Sequence, residues 1–313
     1  MILVCGENLI DFIQEPGEGL PSFRANPGGS PFNTAMALGR QEKKTGYLTP
    51  ISSDTLGQLL RDTIEGSGVA CLAPTSDKPT SMAVVSLKDG QPAYQFYRDN
   101  TAERQVDAAS LAASMPDQIT ALQLGSLCLA NGEDAAAWAN LAEDLSSKGV
   151  PITFDPNIRS AFIHDRADYL SRFERVARIA RLIKLSDEDI AWLYPGQDMI
   201  EAADAMFATY KPALLVLTEG GDGAWCRIGD TSFEVAAAPV PDLIDTVGAG
   251  DTFMANLIAG LHDAGALIAG APISPDQAAP IMRRAAVAAA INCGRKGCNP
   301  PTRSEVQAAL TAD

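Results

Sequence analysis

The chain has 313 residues, 46% of them hydrophobic and 20% charged, with a formal net charge of −15. That length and apolar fraction suit one large α/β domain with a small appendage, and the composition is globular, not disordered. A surface so negative repels phosphate backbones, which argues against nucleic acid as a partner but leaves room for a local pocket for a small anion.

In chain order, Ile2–Cys5 reads as a strand and Leu9–Ile13 as a second short apolar run soon after it. Asn33–Leu38 reads as helix and Gly46–Ile51 as strand. Asp54–Glu65 reads as a helix capped by Asp54 and ended by Gly66 or Gly68. Ser81–Leu87 and Ala93–Arg98 flank Lys88-Asp89-Gly90-Gln91, where Asp-Gly signals a hairpin. With Leu9–Ile13 they read as a small separate sheet, a lid drawn from about 9–24 and 80–100, within a single domain of 1–313.

Ile119–Leu124, Ile152–Phe154 and Ala213–Leu217 are buried-strand candidates. Arg172, Arg175, Arg178 and Arg181 share i,i+3 spacing and read as a solvated helix face. Ala285–Ile291 reads as a buried helix, and Ser304–Leu310 as a last helix capped by Ser304. Strands alternating with helices predict an α/β fold, a parallel sheet covered on both faces.

The six cysteines are scattered without a C-x-x-C pair, and no signal peptide precedes the first strand. Both features point to a reducing, cytoplasmic setting. No apolar run reaches membrane-spanning length. Of the two histidines, His164 and His262, neither sits in a nucleophile elbow, and no cluster suggests zinc.

The chemistry concentrates in Gly248-Ala249-Gly250-Asp251, which opens an apolar, helix-like stretch. Small residues at a helix start expose unpaired N–H groups, and the helix dipole favours an anion there. A carboxylate in the same turn takes a proton from a nearby hydroxyl, so the pair suits phosphoryl transfer to an alcohol. The bland alternative is an Asp that merely stabilises a helix start. No G-x-x-x-x-G-K-[ST] occurs, and Phe253 stands where a dinucleotide fingerprint needs its third glycine.

Asp245–Phe253 closely resembles the second signature of the PfkB (ribokinase-like) carbohydrate kinases, and Pro27–Ala35 resembles their first. Gly6–Asp11, Phe154–Arg159, Thr218–Gly223 and Asn292–Gly297 resemble further family segments in the family's order, the last most like bacterial fructokinases. The resemblance implies a Rossmann-like, three-layer α/β/α ribokinase-like fold with a β-sheet lid. It also implies an enzyme that moves a phosphoryl group from ATP, with Mg²⁺, to a sugar hydroxyl.

By the same resemblance Asp251 is the base, with Gly248, Ala249 and Gly250 as the anion hole. Asp11, Gly29, Asn33, Phe96, Arg98 and Arg159 face the sugar. Ser186, Thr218, Gly220, Gly223 and Asn292 line the nucleotide. Asp189, one methylene shorter than the family's Glu, approaches Mg²⁺ through water. Asp245 and the Val247 carbonyl border a K⁺ site, and the lid pairs two subunits in a homodimer. Fructose is the first substrate expected. A 2-keto-3-deoxygluconate kinase and a non-catalytic sugar-binding regulator remain open.

Overall fold

The computed structural model describes residues 1–15, 17, 19–88 and 91–312, with backbone alone at 87, 88, 91–94 and 312. The first half of the chain carries β1 (Ile2–Val4), β2 (Leu9–Glu15), β3 (Ser22–Gly28), α1 (Ser30–Arg40), β4 (Thr45–Tyr47), α2 (Thr55–Glu65), β5 (Val69–Cys71), β6 (Ser81–Lys88), β7 (Gln91–Tyr97), α3 (Ala108–Ala113), β8 (Ala121–Gly125), α4 (Glu133–Ser147) and β9 (Ile152–Asp155). There follow α5 (Arg166–Ala177), β10 (Ala180–Ser186), α6 (Asp187–Leu193), α7 (Met199–Tyr210), β11 (Leu214–Thr218), β12 (Ala224–Ile228), β13 (Thr231–Val235), α8 (Ala249–Asp263), α9 (Pro275–Cys293) and α10 (Arg303–Ala312).

Among the described residues the large sheet runs β13-β12-β11-β10-β9-β8-β1-β4-β5. Seven strands from β5 to β11 are parallel neighbours, but β12 and β13 pair antiparallel at the edge, where the sequence predicted parallel strands throughout. The physical reason is the short Glu219–Gly223 connection, which can turn the chain back but cannot carry a crossover. The smaller sheet runs β3-β2-β6-β7, and its β6–β7 pair is antiparallel as the hairpin signal implied, though Asp89 and Gly90 lie outside the described residues. β3 was not foreseen as a strand. It lies at the sheet edge, where Pro27 is tolerated.

Two cores sandwich the large sheet. One packs α1, α2, α8, α9 and α10 against Ile2, Val4, Leu182, Leu214 and Val216. The other packs α4, α5 and α7 against Leu3, Leu122, Phe154, Ile183, Leu185 and Leu217. The period-2 alternation of strand side chains decides which face each residue takes.

Local signals account for helix starts. Asp54 Oδ1 accepts the Gly57 N–H at 2.7 Å, as expected. At α10 the cap is Thr302, not Ser304. Thr302 Oγ1 accepts from Glu305 N while Glu305 Oε2 accepts from Thr302 N, a reciprocal pair that Ser304 is too late in the chain to make. The arginine stripe also breaks up. α5 ends at Ala177, Arg181 lies in β10, and Arg172 is buried with its Nε donating to the Leu129 carbonyl. Among the described residues no helix is long and apolar enough to cross a membrane.

Candidate active site

Around β1 the strand order departs in both directions, to β4 on one side and β8 on the other. Open α/β sheets bind ligands at the carboxyl ends of strands at such a switch point. Glu7, buried just past β1, bridges the crevice: its Oε1 accepts the Ser30 N–H at 3.1 Å and its Oε2 the Leu127 N–H at 3.2 Å. Burial pushes its carboxyl up to about 7, against the pull of Arg98 and a Ser126 hydrogen bond. Gly29, the N-cap of α1, has φ 108, and a Cβ there would lie 2.5 Å from the Glu7 carbonyl. Only glycine lets the α1 turn pass so close.

The lid presents one polar-aromatic row. Asn26, Asp11, Ala83 and Phe96 are cross-strand partners and share a face. A Cβ on Gly28 would meet Asp11 Oδ2 at 2.5 Å, so the missing side chain makes room for that carboxylate. Burial raises the Asp11 carboxyl to about 6, and Arg159 draws it back. Phe96 is half-buried and packs edge-on against Phe162 with ring centroids 4.3 Å apart. Phe162, three residues beyond Arg159, was missed in the sequence, because nothing local marks it as a partner of the lid. A cavity of about 600 Å³ opens beside the pair, lined among others by Phe96, Arg98, Arg104, Asn131 and Phe162; Asp251 does not line it.

Asp251 is the focus. It occupies the first turn of α8, whose N-cap is Gly248 at φ 75. Ser30 Oγ donates to its Oδ1 at 2.6 Å and Asn33 Nδ2 to its Oδ2 at 2.8 Å. Both donors come from the start of α1. Burial raises the Asp251 carboxyl above the ordinary range, while Ser30, Asn33, Lys184 and Arg159 all favour its ionised form. A buried, oriented carboxylate beside a ring of helix-start N–H groups is suited to accept a hydroxyl proton next to an anion.

Beneath that turn runs a polar column in an otherwise apolar sheet. Thr153 donates to Gln123 at 2.6 Å, and Lys184 Nζ pairs with Asp155 Oδ2 at 3.1 Å, all four residues being buried. Burial works against the Lys184 ammonium, yet the Asp155, Asp189 and Asp251 carboxylates lift its pKa above the ordinary lysine value. Neither Lys184 nor Glu7 was picked out in the sequence as a site residue. Lys184 does carry a signal, a lone charge inside the apolar run Leu182–Leu185.

Ser186 and Thr218 are register partners at the ends of β10 and β11, and Thr218 Oγ1 donates to the Leu185 carbonyl at 3.1 Å. Gly220 and Gly223 close the next turn, where Glu219 N donates to the Gly223 carbonyl at 2.9 Å. These residues line the same carboxyl edge as Asp251 and suit a nucleotide.

Four expectations need correction. Arg98 lies past the end of β7 and is buried, its Nε and Nη2 donating to both oxygens of Glu103 at 2.9 and 3.1 Å. Glu103 shares its charge there, while the side chain also lines the cavity beside Phe96. Asn292 is 0% exposed, its amide donating to the Val247 carbonyl at 2.8 Å and its Oδ1 accepting from Asn299 N at 2.9 Å. It braces the loop before α8 and has no surface to offer an adenine.

Asp189 is 2% exposed and closes a capping box with Ser186. Its oxygens accept from Ser186 N at 2.9 Å and Ile158 N at 2.6 Å, so it does not fit an open metal ligand. Asp245 accepts from Val247 N at 3.0 Å and Gly297 N at 2.9 Å, and the Val247 carbonyl is taken by Asn292. That donor set does not fit an open monovalent-cation site. Among the described residues no cluster of His, Cys, Asp or Glu is placed to hold a metal.

These features converge on one class of protein. The pfkB family carbohydrate kinase model matches residues 1–305. A fructokinase of Rhizobium leguminosarum bv. trifolii is 35% identical over 266 residues, which is 83% of this chain and 79% of that one. A fructokinase of Xylella fastidiosa with bound ATP superposes with TM-score 0.85 at 24% identity, covering 99% of this chain and 98% of that one. A fructokinase of Vibrio cholerae O395 with fructose, ADP and calcium ion bound superposes with TM-score 0.85 at 23% identity, covering 99% and 98%. The chain belongs to the pfkB family of carbohydrate kinases. It is a phosphotransferase acting on a sugar hydroxyl, with the α/β ribokinase-like fold.

Proposed function

We propose that this sugar kinase phosphorylates fructose at the expense of ATP, with Asp251 as the general base. The observation that carries the reading is the Ser30–Asp251–Asn33 arrangement at the start of α8, where an oriented carboxylate meets an anion-binding turn. ATP supplies the γ-phosphoryl group when bound, and Mg²⁺ travels with its phosphates; no residue here is assigned to the ion.

Asp251 takes the proton of the reacting hydroxyl as that oxygen bonds to the γ-phosphorus. The bond from phosphorus to the β,γ-bridging oxygen breaks, and its electron pair leaves with ADP. Gly248 and Gly250 offer backbone N–H groups to the equatorial oxygens of the transferred group, while the Ala249 N–H between them donates to the Thr246 carbonyl at 3.2 Å. Asp11, Gly29 and Asn33 hold the sugar, Phe96 with Phe162 walls it, and Arg159 stands near both carboxylates, favouring the ionised forms of Asp11 and Asp251. Ser186, Thr218, Gly220 and Gly223 hold the nucleotide.

An acid sugar such as 2-keto-3-deoxygluconate is disfavoured, because Glu103 already neutralises Arg98 and Arg159 Nη1 donates to the Asn157 and Ile158 carbonyls. A non-catalytic regulator is disfavoured by the intact base. A dimer through the lid is supported by Leu20, Phe23 and Tyr97, exposed there at 95%, 38% and 46%; a monomer by light scattering at micromolar concentration would remove it. Six free cysteines support a reducing, cytoplasmic setting.

The test is ADP release with ATP and Mg²⁺ over fructose, 2-keto-3-deoxygluconate, ribose and adenosine. Fructose is expected to give the highest kcat/KM; turnover with the acid sugar alone overturns the fructose assignment.

A further inference from the structure

Two buried atoms under the α8 turn have fewer partners than their charges call for. Lys184 Nζ, on a side chain 5% exposed, makes a single hydrogen bond among the described residues, to Asp155 Oδ2 at 3.1 Å. The other oxygen, Asp155 Oδ1, is buried with no donor. An ammonium has three N–H donors and a carboxylate several acceptor positions, so both ends of the pair have unused capacity.

Their direction is set by the sheet. Leu182 and Lys184 point to the face covered by α8, while Ile183 and Leu185 point to the opposite core. The ammonium reaches the catalytic turn itself: a Cβ built on Gly250 would lie 3.1 Å from Lys184 Nζ. The charged and titratable groups facing this point are Asp155 from β9, Asp189 from α6, Asp251 from α8, Arg159 from the loop after β9, and Cys298 against Gly248. Lys184 is the fully buried cation among them.

We propose that Lys184 completes the anion hole. Its ammonium takes up the charge that develops on the transferred phosphoryl group at the Gly250 turn, and Asp155 keeps that ammonium in place. The role rests on the phosphoryl-transfer reading given above. The backbone dipoles of a helix start amount to roughly half a charge, and a full cation in a site shielded from water adds to them where the reaction needs it. A buried ion pair is weak evidence of stabilisation, since an apolar or neutral pair of similar volume often serves as well. That exchange gives the test.

The double variant Lys184→Met, Asp155→Asn removes both charges and most of the strain of unpairing them. Circular dichroism and a thermal melt report folding. Calorimetry reports affinity for fructose, for ADP, and for ADP with aluminium fluoride, which imitates the transferring group. The expected result is a folded protein with fructose and ADP affinities within about threefold of wild type. In that protein kcat and the fluoride-complex affinity should each fall by about 100-fold or more, the scale of one lost oxyanion donor.

Wild-type kcat in the double variant, or equal losses for ADP and for its fluoride complex, would overturn the role. Lys184→Arg gives a second reading should the double variant melt early. It keeps the charge and should retain most of the fluoride-complex affinity; a loss as large as that expected of the double variant counts against the proposal. Wild-type protein that turns over no sugar defeats the kinase reading itself, a different outcome from a variant that makes no difference.

Discussion

Ser30 donates to Asp251 at 2.6 Å across 221 positions of sequence. That bond joins the first turn of α1 to the first turn of α8, two helix starts that converge on one carboxylate. Ser30 is itself held by Glu7, which accepts its backbone N–H. The carboxylate proposed as the base is therefore oriented by the protein itself, and it is held by groups that prefer its ionised form.

Ser30→Ala removes one of the two hydrogen bonds that counter burial at Asp251. The carboxyl should rise further, so the acid limb of the kcat/KM profile moves to higher pH, and kcat near neutrality drops by roughly tenfold. A pH–rate profile of the variant beside wild type checks both. An unmoved acid limb would show that Ser30 does not tune the base.

Gly248 sits at φ 75 with Cys298 Sγ 2.3 Å from where a Cβ would be. Gly248→Ala should cost about 1–3 kcal/mol of stability through backbone strain and crowding, and displace the anion-hole amides, with kcat down at least about tenfold. Cys298→Ala, which relieves no strain, should leave kcat within about threefold. Thermal melts and steady-state rates separate the two.

Asn292→Ala leaves the Val247 carbonyl and the Asn299 N–H without their buried partner. The expected loss is about 1–3 kcal/mol in urea unfolding. If the residue instead touched the nucleotide, the effect would fall on the KM for ATP while stability stayed as in wild type.

Stability should fall as pH rises from about 5 to 7. Glu7 is lifted from 4.5 to about 7 and Asp11 from 3.8 to about 6, so in this window the unfolded chain has released protons that the folded chain still holds. Below 4.5 both forms of Glu7 are protonated and it contributes no slope; above 7 its penalty is complete. Glu7→Gln should flatten its part of the decline, measured by chemical denaturation at pH 5 and 8. An equal slope in the variant would contradict the assignment.

What the sequence made legible was contiguous. Gly248 to Asp251 carry their chemistry within four neighbouring positions, and Asp54 meets its capping partner three residues on, so local rules suffice for both. Partners distant in sequence were not legible. Lys184 finds Asp155 29 positions away, and Glu7 reaches Leu127 120 positions away.

Arg98 reads as the end of its lid strand because an alternating run does not mark where it stops; the strand ends at Tyr97 and the next residue turns to Glu103. Arg172 shows the same limit, since i,i+3 spacing gives the stripe but not the carbonyls of Leu129 and Ala130 that receive its guanidinium. β3 escaped because Asn26, Pro27 and Gly28 are poor strand formers, and their place at an edge is a tertiary fact.

The most direct test of the central claim is Asp251→Asn, assayed for ATP-dependent turnover of fructose and, separately, for fructose affinity by calorimetry. Loss of a general base should lower kcat by about 10²- to 10⁴-fold, with fructose bound within a few-fold of wild type. Turnover within tenfold of wild type, with the sugar still bound, would mean that Asp251 does not take the hydroxyl proton.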